Sequence, residues 1–286
     1  MFDSHSDRAR RSRVQPSQTN TRVTIATVRT AFVPSPRSLG MSVSDAFDEW
    51  ARSGKDQGME ERHWHTAKHA LARMPVESEA RSASKRSSGE RGDPRDEGDT
   101  VLDLGCGSGY AGRALRETKD VGRVYGVDAA PEMAHNARAY TDDPRVAFAV
   151  GDFEHLPFDD DSIDHCWSME AFYYAQNPHT VLDELRRVLR PGGTFYCAVN
   201  RWEEHVHSHE WEELVGVPML LWSERQYREA FREAGFAVAG QDRIPDTETE
   251  IPTESEFPTE DWETRAAMVE RYREYGTLLT VGVVPE

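Results

Sequence analysis

The chain has 286 residues, 37% of them hydrophobic, and carries 51 acidic against 34 Lys and Arg side chains, a formal net charge of −17. That length supports one large domain or two modest ones around a proper core. So acidic a surface repels phosphate backbones, and no apolar run approaches the roughly 18 residues that cross a bilayer, which argues against charge-driven nucleic-acid binding and against membrane insertion. Only four of the basic residues are lysines (Lys55, Lys68, Lys85 and Lys119). An arginine-rich, acid-heavy, low-hydropathy surface is expected of a halophilic protein, because concentrated salt screens its self-repulsion, the alternative being simply an acidic protein from a GC-rich genome.

Residues 1–40 hold seven Arg against two Asp without sustained periodicity, which predicts a disordered arm or a mis-assigned translation start. Arg10 and Arg11 lack the apolar run of an export signal behind them, so a cytoplasmic location is expected. Over 60–74, Trp64, Ala67, Ala70, Leu71 and Met74 recur at helical spacing, and residues 41–76 are read as an N-terminal helical lid. The stretch 77–99 loses almost all large apolar residues and reads as a flexible insertion.

Apolar β-type runs then follow at 101–104, 123–127, 145–150, 163–168, 194–199, 236–239 and 278–284, separated by helical patterns. Such alternation predicts an α/β fold, a mostly parallel sheet with helices on both faces. The clearest helix covers about 178–189, with Val181, Leu182, Leu185, Val188 and Leu189 on one stripe and "RPGG" at 190–193 as its stop signal. Segments 201–222 and 246–274 fall outside the repeat, as insertions that shape a binding site do. Cys106, Cys166 and Cys197 are odd in number, lie in or beside apolar stretches and read as small buried packers.

In an open parallel sheet, ligands sit beyond the carboxyl ends of the strands, where glycine lets the backbone come close. "VLDLGCGSGY" at 101–110 is such a strand end. No Gly-Lys-Ser/Thr follows, which excludes a P-loop, and Tyr110 replaces the third glycine of a dinucleotide fingerprint. Asp128 ends the next β run, 25 positions after Asp103, where a carboxylate can accept both hydroxyls of a ribose. After the third run, Asp152 can accept an amino hydrogen of an adenine while Phe153 covers its ring.

Together "VLDLGCGSGY", "VYGVDAAPEM", "GDFEHLPFDDDSID" and "LRRVLRPGGTF" resemble the successive motifs of class I S-adenosylmethionine-dependent methyltransferases, nearest to the small-molecule and quinone-type subgroup; the resemblance covers about residues 100–200. It implies S-adenosyl-L-methionine as cofactor and a Rossmann-like seven-stranded sheet of order 3-2-1-4-5-7-6 with an antiparallel seventh strand. It also implies that Asp103, Gly105, Cys106 and Gly107 surround the methionine moiety and that Asp128 holds the ribose. Ala129 and Met133 would flank ribose and adenine, Asp152 and Phe153 would take the adenine, and Ser168 joins the cofactor set.

In this fold the segment after the fourth strand, "SMEAFYY", points at the methyl position, making Glu170, Tyr173 and Tyr174 catalytic candidates. The bland alternative packs the tyrosines under the following helix and leaves Glu170 as a helix-start carboxylate. The Asn/Asp-Pro-Pro-aromatic motif of many amino-group methyltransferases is replaced by Ser-Met-Glu-Ala at 168–171, which weakens an N6-adenine reading. His63, Trp64 and His205 are candidate lid or substrate contacts, with Trp64 equally readable as a core anchor. His205, His207 and His209 alternate as metal ligands could, yet lack Cys or carboxylate partners at matched spacing, so a solvated loop and no metal are expected.

The resulting expectation is direct in-line methyl transfer to a small-molecule acceptor, in which positioning carries the catalysis. Because the segments expected at the mouth are rich in Glu and Asp, a monomer or weak dimer that binds no nucleic acid is anticipated. A tRNA or protein methyltransferase, and a non-catalytic cofactor-binding regulator, are the alternatives.

Overall fold

A computed structural model describes residues 41–76, 98–119 and 121–286. The arm expected at 1–40 and nearly all of the insertion expected at 77–99 lie outside the described residues. The apolar runs form seven strands, β1 (Thr100–Leu104), β2 (Arg123–Asp128), β3 (Val146–Val150), β4 (Ile163–Met169), β5 (Leu189–Val199), β6 (Ala237–Ile244) and β7 (Thr277–Val283). They make one sheet in the order β3-β2-β1-β4-β5-β7-β6. The first five strands are parallel, and β7 runs antiparallel to β5 and β6. Hence the order expected from the resemblance is the order found.

The helices described are α1 (Val43–Arg52), α2 (Met59–Ala72), α3 (Tyr110–Lys119), α4 (Pro131–Ala139), α5 (Pro178–Val188), α6 (Trp211–Val215), α7 (Glu224–Glu233) and α8 (Arg265–Val269). A π-helical turn, Glu270–Tyr275, continues α8. None of these helices is long and apolar enough to cross a membrane. Because successive strand residues face opposite ways, Leu102 and Leu104 join one core with Val181, Leu185 and Phe231, while Val101 joins a second with Leu71, Met74 and Leu115. Strand β4 is buried at all seven positions, as the centre of a covered sheet requires.

Two boundaries differ from the sequence reading. "RPGG" does not merely stop a helix: α5 ends at Val188 and the four residues lie within β5, where the register against β4 shifts between the pairs Ile163–Leu189 and His165–Thr194. Gly192, at φ +79°, supplies the left-handed residue of that irregularity. Strand β6 is twice the expected length, because an edge strand exposes Asp242 and Arg243 and so breaks the apolar run.

The N-terminal helices are held by polar anchors. Ser42 caps α1 by accepting the N–H of Asp45 at 3.1 Å. Helix α4 has Ala130 at its own N-cap, and Asp48 of α1 accepts the N–H of Glu132 at 2.8 Å in its place, a substitute cap of about 1 kcal/mol. Ser44 donates to the Ala129 carbonyl at 2.8 Å, and Asp56 accepts from Asn136 and from the Tyr140 hydroxyl. Thus α1 and the turn before α2 are fastened to the β2–α4 connection. The carboxyl ends of β1, β2, β4, β5 and β6, together with the start of β7, share one edge of the sheet, and segments 201–222 and 246–274 both leave from that edge.

Candidate functional site

Strand β1 delivers Asp103 and then a loop in which Gly105, Gly107 and Gly109 have φ of +75°, +50° and +74°, a region that only glycine enters cheaply. The loop is also crowded. A Cβ on Gly105 would overlap the Cβ of Ala171, one on Gly107 would stand 2.6 Å from the Met59 methyl, and one on Gly109 would overlap the Phe148 ring. Side chains from the β4 exit, α2 and β3 therefore close on the loop, which explains the three glycines through the protein's own packing.

Asp128 ends β2 and ties this loop to the next. Its Oδ2 accepts the Gly107 N–H at 2.8 Å and its Oδ1 the Ala130 N–H at 2.9 Å, leaving a lone pair free on each oxygen. Burial pushes its carboxyl up to about 6, against the pull of those two N–H donors. Asp103 is buried, and its Oδ2 has no partner. Burial, and then the charge of Asp128, push it up to about 7. Cys106 is buried in the same loop, its thiol driven up first by burial and then by the two carboxylates.

The remaining expected cofactor contacts are spread around this pair. Half-buried Phe153 packs near Gly105, at 3.3 Å from where its Cβ would stand. Asp152 is exposed at the rim, with its carboxylate accepting the Glu154 N–H at 3.0 Å. The Ala129 carbonyl is taken by Ser44, and Met133 is buried with Ala51 and Ala130 beneath Phe47, Trp50 and Met59. Ser168 is fully buried in β4 with no partner for its hydroxyl.

At the exit of β4, Glu170 has φ +56°, a left-handed backbone that a glutamate adopts at a cost. Its Oε2 accepts the Tyr173 hydroxyl at 3.0 Å, and its other oxygen accepts the backbone N–H of Asn200 just past β5. The Asn200 side chain in turn accepts the Thr277 hydroxyl at 2.6 Å from the start of β7. Burial pushes Glu170 up to about 7, with Tyr173 and then the charge of Arg271 pulling it back. Glu170 does not cap the short Phe172–Tyr174 turn, so the helix-start reading fails. Tyr174 packs on Tyr173 at 4.7 Å between ring centroids and on Phe47 of α1 at 5.0 Å.

His63 has its Nδ1 buried without a partner, and burial followed by the charges of Arg62 and Arg271 pushes it down to about 3. Trp64 is half-buried against the second core. The expectation of a solvated histidine loop fails at His205, which is fully buried beside Trp202 and Tyr275, with both ring nitrogens unpartnered. Burial and the charge of Arg271 push it down to about 2 and keep it neutral. His207 instead pairs with Glu270 at 2.9 Å, and His209 contacts the Glu203 carbonyl at 2.8 Å. Among the described residues no group of three His, Cys, Asp or Glu is placed to hold a metal. Asn200, Thr277 and Arg271 carried no motif that would have singled them out.

Comparison with known proteins agrees with this architecture. A family model described as a methyltransferase domain matches residues 102–197. The chain is 62% identical to a chain in the solved complex between the Haloferax volcanii Trm112 methyltransferase activator and its assigned methyltransferase, with a TM-score of 0.77, covering 86% of this chain and 100% of that one. It is 31% identical to the 2-methyl-6-phytyl-1,4-hydroquinone methyltransferase of Synechocystis sp. over 64% of this chain and 59% of the relative. An S-adenosylmethionine-dependent methyltransferase from Mesorhizobium loti, 22% identical with a TM-score of 0.51 over 65% of this chain and 90% of that one, shares the fold. The chain spans less than two thirds of the length of the curated relatives it matches.

The relative in complex with an activator overturns the expectation of a monomer or weak dimer that serves a small-molecule acceptor and no nucleic acid. That expectation took the charge of this chain alone, whereas the field at the mouth of an assembly belongs to both of its chains.

Proposed function

The chain belongs to the class I S-adenosylmethionine-dependent methyltransferases, and on that premise we propose that it is the catalytic subunit of a two-protein methyltransferase, paired with an activator of the Trm112 kind and acting on a macromolecular acceptor, tRNA or protein. The observation that carries the proposal is the 62% identity, over 86% of this chain and the whole of the other, to a chain solved in complex with such an activator.

S-adenosylmethionine, when bound, supplies a methyl group made electrophilic by its sulfonium sulfur. The residues present fit this cofactor: Asp103 Oδ2, the Tyr110 hydroxyl and Ser168 Oγ are buried polar atoms without partners at the carboxyl edge of β1 and β4. In the proposed arrangement Asp103, Gly105, Cys106 and Gly107 hold the methionine part, the free lone pairs of Asp128 take the ribose hydroxyls, and Asp152 and Phe153 flank the adenine. Ala129 and Met133 support that wall, while α1 and α2 cover it as a lid. Glu170, with its carboxyl raised to about 7 by burial and aimed by Tyr173 and Asn200, would take the proton that the acceptor's nucleophile gives up when it gains the methyl and the sulfonium S–C bond breaks. His63, Trp64 and His205 line or support the acceptor side.

The experiment co-expresses the chain with a Trm112-type activator from the same cell and supplies S-adenosylmethionine with a labelled methyl group. Total tRNA, total protein and a small-molecule extract of that cell are offered separately. Label is expected in the tRNA or the protein fraction and only from the assembled pair. Equal labelling of the small-molecule extract by the chain alone would sink the proposal.

A further inference from the structure

Arg271 stands in the π-helical turn and is 8% exposed. Two other arginines among the described residues are comparably buried, and each has a carboxylate: Arg116 pairs with Asp143 at 2.9 Å and Arg201 with Glu212 at 3.5 Å. Arg271 has none within 4.0 Å among the described residues. Its one side-chain hydrogen bond runs from Nη1 to the Gly276 carbonyl at 3.1 Å. The guanidinium carbon lies over the rings of Trp211, at 5.4 Å, and Tyr272, at 5.3 Å. Those rings give the cation a wall but no acceptor for its remaining donors, and a buried guanidinium is ordinarily paired.

The position of this cation is equally informative. The π-helical turn leads directly into β7, whose first residue, Thr277, bonds Asn200, which bonds Glu170. The charge of Arg271 is felt by Glu170, Tyr173, His63 and His205. Glu170 and Asp246 reach it only through their charge, since neither carboxylate comes within 4.0 Å of the guanidinium. Around it, His63 Nδ1 and both nitrogens of His205 are buried without partners. His205 and Trp211 beside it come from segment 201–222 and Tyr272 from segment 246–274, the two that depart from the strand–helix repeat. A π-helical turn at such a place is a common device for re-aiming a side chain at a functional site.

We propose that Arg271 is the anion-binding residue of the acceptor site and that the acceptor presents a carboxylate to it beside Glu170. The planar fork of a guanidinium matches a carboxylate with two parallel hydrogen bonds, a match that lysine cannot reproduce. This deepens the proposed function and rests on it only in that the acceptor enters at this edge.

The test titrates the assembled pair, loaded with S-adenosylhomocysteine, with 13C-formate and separately with inorganic phosphate, following the 13C and 31P signals of the added anions by NMR. Formate is expected to bind the wild type about tenfold more tightly than either Arg271→Gln or Arg271→Lys, with S-adenosylhomocysteine affinity unchanged. Phosphate is expected to bind Arg271→Lys as well as it binds the wild type, since lysine keeps the charge. If Arg271→Gln does not fold, Arg271→Lys carries the comparison. Equal formate binding by wild type and Arg271→Lys, no formate binding by the wild type, or a preference for phosphate over formate would each overturn the proposal. No methyl transfer is needed for this readout, so failure here and failure of macromolecular labelling are distinguishable.

Discussion

The hydroxyl of Tyr173 lies 3.0 Å from one carboxylate oxygen of Glu170, while the other oxygen receives the N–H of Asn200. Three segments, the β4 exit, the turn behind it and the end of β5, thereby converge on one carboxyl group whose own backbone is held at φ +56°. Such strain costs about 1–3 kcal/mol and persists where the surroundings over-determine it.

Replacing Glu170 with Gln is expected to slow methyl transfer by about 10²–10⁴-fold and to leave S-adenosylmethionine affinity within about threefold. With Glu170 at about 7, the wild-type rate rises with pH and levels off above that value; the variant loses the rise. Initial rates across the pH range, taken with the assembled pair, check both parts. A variant that keeps the wild-type profile would remove Glu170 from the proton transfer.

Asp103→Asn addresses the buried carboxyl of the glycine loop. Its folded-state value of about 7 lies above the ordinary aspartate value of 3.8, so the native state favours the protonated form. That stabilising contribution is complete below the unfolded value and is lost as pH rises through about 7. The difference sets a ceiling of roughly 4 kcal/mol at the alkaline end. The cofactor-free variant is therefore expected to melt higher than the wild type at pH 8 and equally at low pH, while binding S-adenosylmethionine more weakly. Melting curves at several pH values decide it, and a lower melting temperature at pH 8 would contradict the burial argument.

Much of this arrangement was legible in the sequence because a buried parallel sheet writes itself as apolar runs and because Asp103, Asp128 and the glycines fall at strand ends. What stayed hidden depends on contacts between distant segments. Asn200 and Thr277 matter through where β5 ends and β7 begins, and Arg271 sits in an acidic stretch that gave no sign of a buried cation. Histidines surrounded by Glu in the sequence suggested solvent, yet Trp202 and Tyr275 enclose His205. The acidic charge misled about partners, since an activator contact such as the one that the Haloferax volcanii relative makes has no signature in one sequence.

Gly107→Ala is expected to destabilise the protein by about 1–2 kcal/mol from its left-handed backbone, while the Met59 methyl beside it, the far end of a flexible side chain, moves aside at little cost. Adding Met59→Ala should therefore recover little, because the cost lies in the backbone. Urea denaturation of the single and double variants checks this, and proteolysis should open first in α1 and α2. Full rescue by the second substitution would show that the backbone carries no strain there.

The most direct measurement is calorimetric titration of S-adenosylmethionine into the wild type and into Asp128→Ala, with melting curves to confirm that both are folded. Two charge-assisted hydrogen bonds to the ribose, at about 1.5–3 kcal/mol each, predict a fall in affinity of at least about 100-fold. Affinity within about threefold of the wild type would place the nucleoside elsewhere and contradict the assignment of the β1–β2 edge as the cofactor site.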